Sequence, residues 1–238
     1  MPISELKSGA RRLIAENAPK LIVISIIFIA LDAVMSEFQF RFVGIAGFLA
    51  GLNERLLSGE APRIRMLLSA FAPSGAALAL VLAFLMQIVR VGYIGYCMKI
   101  SRRQAGDYKD VFDGFLYFGK ILLLSFLTFL ITLPLYVLFI FPGVVASYMF
   151  RQAYYILLDA PEKGVFQCIV ESKRLMSGKK LDLFLLDLSF LGWILLDLTL
   201  VLLIPTPFAL PLVSIWLIPY QGLARAAFYD KLVGGLLV

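Results

Sequence analysis

Ile121–Phe141 runs without a single charged residue. A helix needs about 20 mostly apolar residues to cross the ~30 Å hydrocarbon layer of a bilayer. Similar runs recur along the chain. Leu78–Met98 carries only Arg90, Leu183–Ile204 carries Asp187 and Asp197, and Phe208–Ala227 carries Arg225. Two shorter runs remain, Leu21–Met35 with Asp32 and Val144–Leu158 with Arg151. Hydrophobic residues make up 61% of the 238 positions and charged residues 16%. Soluble domains have ~45–50% and ~25%, so this excess cannot all enter one water-soluble core. The expected fold class is all-α: a polytopic transmembrane helix bundle with short amphipathic helices at the cytoplasmic surface. Residues 1–238 read as a single integral membrane domain of about six spans, near 20–36, 78–98, 121–141, 144–158, 183–204 and 208–227.

Punctuation supports the count. Phe141-Pro142-Gly143 is expected to end one helix and allow a tight reversal, and Pro205-Thr206-Pro207 to do the same between the last two spans. The first connection is less regular. Phe42–Leu57 is apolar but short and ends at Asn53, Glu54 and Arg55. Its Gly47 and Gly51 make a G-x-x-x-G, which read as incidental glycines of a loop helix in preference to a close helix contact. An interfacial or re-entrant segment fits there, and a seventh span does not.

Basic residues set the orientation, because Lys and Arg concentrate in cytoplasmic loops. The N-terminal segment, the second and fourth connections and the C-terminal end hold most of the 22 Lys and Arg residues. The third and fifth connections hold none. Both termini are therefore expected in the cytoplasm, with Gly106 and Gly178 inside and Gly59 outside. No small-x-small cleavage site follows the first apolar run, so the first helix is expected to be retained. The net charge of +6 then reads as topology and contact with anionic lipid. Nucleic-acid binding is not expected, because no soluble basic domain is present.

Three polar stretches have amphipathic spacing. Ile3, Leu6, Ala10, Leu13 and Ile14 share one face, and Val111, Phe112, Phe115 and Leu116 share another after Asp107, a natural N-cap. Val165, Cys168, Ile169, Ser172, Leu175 and Met176 form the clearest stripe, with Gln167, Glu171 and Arg174 opposite. Interfacial helices lying on lipid fit all three, and a partner-binding surface is the alternative. Leu124-Ser125-Phe126-Leu127 recurs as Leu188-Ser189-Phe190-Leu191, a weak parallel repeat.

Much chemistry is excluded. There is no histidine, and Cys97 and Cys168 are the only cysteines. Histidine-dependent triads and a Cys/His zinc site are therefore out of reach. No phosphate-binding loop, nucleophile elbow or C-x-x-C is present. No cofactor is expected, and both cysteines read as small apolar residues. Tyr93, Tyr96, Tyr154, Tyr155, Phe228 and Tyr229 read as an interfacial aromatic belt.

The charges inside spans are the best functional lead, since a charge at mid-helix costs ~2.5–3.5 kcal/mol on insertion scales. At 1.5 Å per residue, Arg90, Arg151, Asp187 and Arg225 fall in one cytoplasmic half-layer, with Gln87, Gln152 and Gln221 at similar depth. Arg90, Arg151, Asp187, Arg225 and Gln152 are the candidate ligand-binding residues. One reading is structural, with Asp187 pairing with an arginine. The other is a polar vestibule whose surplus positive charge suits an anionic solute or lipid headgroup.

Several stretches are specific enough to carry a family resemblance. They are Tyr93-Ile-Gly-Tyr96 running into Ser101-Arg-Arg103, Phe141-Pro-Gly-Val-Val-Ala-Ser-Tyr148, and Ser172-Lys-Arg-Leu-Met-Ser-Gly-Lys179. Leu188-Ser-Phe-Leu-Gly-Trp193, Pro219-Tyr220 and Phe228-Tyr229 complete the set. Together they resemble the bacterial integral membrane proteins classed as domain of unknown function 975, from about the second span onward. The resemblance implies a multi-helix protein of the bacterial cytoplasmic membrane and brings no activity with it. The expected function is a non-enzymatic scaffold, accessory or lipid-interacting protein. Its expected partners are anionic headgroups at the cytoplasmic face, and a protein partner or further copies of itself. The alternative is a transporter or channel for an anionic or amphipathic solute, using the arginine-lined vestibule.

Overall fold

Apolar periodicity makes every described element of this chain a helix. The computed structural model describes residues 2–42, 73–203 and 212–234, and no strand occurs among them. The first connection, its G-x-x-x-G, Gly59 and the Pro205-Thr206-Pro207 break lie outside the described residues. The helices are α1 (Ile3–Phe42), α2 (Pro73–Ser101), a 3-10 helix (Tyr108–Tyr117), α3 (Phe118–Leu138), α4 (Ile140–Phe150) and α5 (Ala153–Asp159). They continue with α6 (Val165–Leu175), α7 (Lys180–Leu188), α8 (Leu191–Leu203) and α9 (Leu212–Gly234). Four stretches of the described residues are long and apolar enough to cross a membrane: Ile3–Ser36, Val81–Ser101, Tyr108–Leu138 and Lys180–Leu200. The expected span at 144–158 is divided between α4 and α5, outside that set.

The chain packs as two units, one of residues 27–87 and one of residues 1–26 with 88–238. The described part of the first comprises the end of α1 and the start of α2. The second unit holds the rest, including the candidate site.

In the second unit the later half of α2 forms the centre. Ile88, Val91, Tyr93, Tyr96, Cys97, Met98 and Ile100 are all buried, as a helix apolar on every side requires. The 3-10 helix crosses it at Gly92 and Gly114, where backbone meets backbone: a Cβ on Gly92 would lie 1.8 Å from the Val111 carbonyl oxygen. Asp107 caps this helix, accepting from the Tyr108 amide at 2.8 Å. Its apolar face differs from the expected one. Val111 and Gly114 point inward, while Phe112, Phe115 and Leu116 are exposed. A 3-10 helix repeats every 3.0 residues, so positions 111 and 114 align where a 3.6 period would have gathered 111, 112, 115 and 116.

The other two amphipathic segments bury their stripes against protein. Leu6, Ala10 and Ile14 are buried on α1. Lys7 donates to the Ser189 carbonyl and to Ser189 Oγ at 3.2 Å each, with its ammonium 4.8 Å from the centre of the Phe190 ring. Asn17 interrupts α1 with φ −121°, two residues before Pro19; proline has no N–H to continue the ladder and crowds the preceding turn. On α6, Val165, Cys168, Ile169, Ser172 and Leu175 are buried as the spacing predicts. Ser172 Oγ donates to the Met149 carbonyl at 2.8 Å. The stripe therefore faces α4 and α5, not a lipid surface, and α6 folds back along them. Phe166 and Val170 are left on its exposed side. Burial raises the pKa of the Cys168 thiol. Hydrogen bonding to Glu171 raises that of the Lys163 ammonium. Both cysteines are free and buried.

The reversal between α3 and α4 comes earlier than Pro142. Phe139 alone is extended, at φ −153° and ψ 130°. Pro142 and Gly143 then fall in the first turn of α4, where a missing N–H costs nothing because those amides lack intrahelical acceptors. The weak repeat also separates in three dimensions. Ser125 sits mid-helix in α3, whereas Ser189 and Phe190 form the break between α7 and α8. The tyrosines expected to form a membrane belt are largely interior. Tyr93, Tyr96, Tyr155 and Tyr229 are buried, with the Tyr155 and Tyr229 rings 5.3 Å apart.

Candidate anion site

Asp187 sits on the last turn of α7 and takes donors from two other helices. Arg225 Nε of α9 donates to Oδ1 at 2.9 Å. Arg151 Nη1, in the turn between α4 and α5, donates to Oδ2, and Tyr148 Oη of α4 donates to the same oxygen at 3.1 Å. The Arg151 guanidinium also lies 5.4 Å from the centre of the Tyr148 ring. Three segments thus converge on one carboxylate, and two cations meet one anion. Of the residues the sequence singles out, Arg151, Asp187 and Arg225 come together. Arg90 is exposed on α2 and is not a donor to Asp187. Gln152 is buried next to Arg151 in the chain, and its Oε1 has no hydrogen-bond partner.

A second ion cluster ties the ends of α2 and α5 to α9. Arg102, just past α2, pairs with Asp159 at the end of α5 and with Asp230 of α9, the latter at 2.9 Å. Ser101 Oγ donates to Asp230 at 2.8 Å and Tyr229 Oη to Asp159 at 3.1 Å. The hydrogen bond to Asp159 is the first cause raising the Arg102 pKa. Burial, and then the charge of Asp159, raises that of the Tyr229 phenol. Across both clusters three arginines meet three aspartates. The excess cation lies at Asp187 and the excess anion at Arg102.

Arg151 also faces outward. It lines a cavity of about 180 Å³ with Thr128, Thr132, Ser147, Phe150 and Tyr154. The hydroxyls form a seam between α3 and α4–α5: Ser125 Oγ lies 3.0 Å from Tyr154 Oη, and Tyr136 Oη lies 2.7 Å from Ser147 Oγ. Thr128 and Thr132 donate to carbonyls of their own helix at 2.8 Å, and each can rotate to meet a ligand oxygen instead. Arginine carries five N–H donors in a planar fork that matches phosphate and carboxylate. The cavity therefore joins a cation to hydroxyls inside an apolar hairpin. This hydroxyl seam is not among the candidates named from the sequence; the signal for it is the spacing of Ser125, Thr128, Thr132 and Tyr136 by three and four along α3.

Asp197 has a different role. Its carboxylate accepts from the Val213 amide at 3.0 Å and from Ser214 Oγ, and so caps the start of α9 from the neighbouring helix. A carboxylate at that end satisfies free amides and complements the helix dipole.

Residues 128–234 match the family described as a protein of unknown function (DUF975). The matched segment is narrower than the resemblance read from the motifs, because Tyr93–Arg103 lies before it. It contains Arg151, Asp187, Arg225, Tyr148 and the whole lining of the hydroxyl cavity. Comparison with curated proteins gives no match, and neither does comparison with solved structures. A chain whose described residues form only helices, four stretches of them apolar and of membrane length, and that carries this family match is a membrane protein of unknown activity.

Proposed function

We propose that the chain is a non-enzymatic, six-span protein of the bacterial cytoplasmic membrane that engages anionic phospholipid headgroups, with Arg151 as the contact. The observation that carries this reading is the double placement of Arg151. One face is held by Asp187, and the other opens on hydroxyls. The α3–α4 seam places Ser125, Thr128, Thr132 and Tyr136 along about 16 Å of helix. That continuity favours a second reading, passage of an anionic or amphipathic solute along the seam.

Native mass spectrometry after mild detergent extraction tests the proposal. The parent is expected to retain anionic phospholipid, and Arg151→Gln to lose most of it. Arg151→Lys, which keeps the charge but not the fork, should retain an intermediate amount. Arg12→Gln, at an exposed surface pair with Glu16, should match the parent. Equal retention by the parent and Arg151→Gln would sink the reading. A small organic anion retained in place of lipid would favour the transport reading.

Orientation is tested separately, in a background lacking Cys97 and Cys168. Gly106 is a poor probe site, because a Cβ there would lie 2.6 Å from the Tyr96 ring. Exposed Gln104 and Glu162 serve for the cytoplasmic side and Phe139 for the outside. An impermeant thiol reagent on intact cells is expected to label a cysteine at 139 and not at 104 or 162. The reverse pattern would invert the proposed orientation.

A further inference from the structure

A larger cavity lies on the other flank of α4, against α7. It measures about 510 Å³ and is lined by Ile140, Phe141, Val144, Val145, Tyr148, Lys180, Leu181 and Phe184. No polar atom faces that cavity: the Tyr148 hydroxyl is committed to Asp187, and Lys180 lines it with its stem, its ammonium lying outside the trough. The volume is within the ~300–1,000 Å³ range of small-molecule sites. Its shape is that of a crevice between two apolar helices, and it brings Lys180 beside Ile140 and Phe141, so the expectation that sets Gly178 and the reversal at Phe139 on opposite faces of the membrane does not hold for the start of α7.

We propose that this crevice holds one acyl chain of an anionic phospholipid whose headgroup is taken by Lys180. Chemistry selects that occupant. An apolar trough on a membrane helix accepts a hydrocarbon chain, and each methylene removed from water or from poor packing adds to its retention. Lys180 is half-buried at the edge of the trough, where its stem can lie along apolar surface while its ammonium meets a phosphate. Lys179 adds a second cation beside it. Asp182, the nearest acid in sequence, lies 3.9 Å from the Lys179 ammonium, which offsets its repulsion of an anion. A zwitterionic lipid offers the same phosphate but brings its own cation beside it, so its net attraction to Lys180 and Lys179 is weaker. The inference extends the lipid reading made for Arg151, but it stands on a different cavity, a different cation and a different part of the lipid.

Fluorescence quenching by brominated chains tests it. Phe184→Trp is placed in a background carrying Trp193→Phe and Trp216→Phe. The protein is reconstituted in phosphatidylcholine vesicles containing either chain-brominated phosphatidylglycerol or chain-brominated phosphatidylcholine. Half-maximal quenching is expected at a several-fold lower mole fraction of the phosphatidylglycerol. Lys180→Gln should abolish that preference while leaving quenching itself, and Arg12→Gln, at an exposed surface pair with Glu16, should leave the preference intact. Leu181→Trp, on the exposed rim, repeats the measurement if Phe184→Trp disturbs the ring contact with Tyr148. Equal quenching by both lipids would mean ordinary boundary lipid and would overturn the proposal. Absence of quenching by either would mean that protein covers the crevice, and would overturn it too. A preference lost in Arg151→Gln and kept in Lys180→Gln would assign the headgroup to the Arg151 cavity and remove Lys180 from the site.

Discussion

Asp187→Asn is expected to destabilise the fold by about 3 kcal/mol, the lower end of what removing one partner from a buried ion pair costs. The carboxylate is largely enclosed, with 14% of its side-chain surface exposed, against 37% for Arg151 and 26% for Arg225. The partial exposure of the arginines is the reason to take the lower end. Asparagine keeps the shape but cannot neutralise either cation, and its amide turns donors toward guanidinium groups that are themselves only donors. Three segments, carrying Tyr148 and Arg151, Asp187, and Arg225, then lose a shared anchor together. Asp187→Asn combined with Arg225→Gln should cost less than the two changes summed, because removing one cation relieves the imbalance created by removing the anion. The same holds for the double with Arg151→Gln. Arg90→Gln, by contrast, should combine additively with Asp187→Asn, since Arg90 does not reach that carboxylate. Thermal melting of the parent, the singles and the doubles in one detergent is the measurement. Additivity in the Arg151 and Arg225 doubles would show that the carboxylate does not couple to them.

Much of this centre is legible in the sequence. Helical rise alone put Arg151, Asp187 and Arg225 at one depth, and the cost of an unpaired charge in an apolar run required a partner. Rise gives depth but not azimuth, which is why Arg90 joined the same layer on paper and is on an exposed face in the structure. The second cluster was hidden for a related reason. Arg102, Asp159 and Asp230 lie at helix ends, where charges ordinarily meet water, so the sequence offers no cue that three ends meet.

The amphipathic stripes show a second limit. Val165 through Leu175 was correctly divided into a buried and an exposed face. Periodicity says that a face is covered without naming the cover. Ser172 shows which cover is present, because its hydroxyl, which could bond back to its own helix as Thr128 and Thr132 do, donates instead to the Met149 carbonyl of α4. On the 3-10 helix the shorter period moves Val111 off the expected face and into the core, while Phe112, Phe115 and Leu116 stay exposed. The Phe141-Pro142-Gly143 signal marked the right connection but misplaced the break, since proline is as acceptable in the first turn of a helix as after its end.

Gly92→Ala is expected to be at least as damaging as loss of Asp187, and for a different reason. Its Cβ would stand 1.8 Å from the Val111 carbonyl oxygen and 2.7 Å from the carbonyl carbon. Both are backbone atoms, so no rotamer change relieves the contact. The reciprocal position is similarly closed, with a Cβ on Gly114 lying 2.4 Å from the Ile88 carbonyl oxygen. Over-packing a core with a methylene costs ~1–3 kcal/mol when side chains can shift. Here the whole 3-10 helix must withdraw from α2, and it is tethered by the Lys99 ion pairs to Asp110 and Asp113, each at 2.9 Å. The expected loss is therefore above ~3 kcal/mol, with Gly114→Ala close behind. Gly119→Ala, where the added Cβ meets nothing within 4 Å, should instead be neutral or stabilise by ~0.5–1 kcal/mol, as removing a helical glycine does. Melting temperatures in one detergent rank the three variants, and limited proteolysis near Gln104 reports whether the 3-10 helix has come away. If Gly92→Ala melts with the parent and resists the protease, the two helices do not cross at their glycines, and the 3-10 segment must pack against α2 by another face.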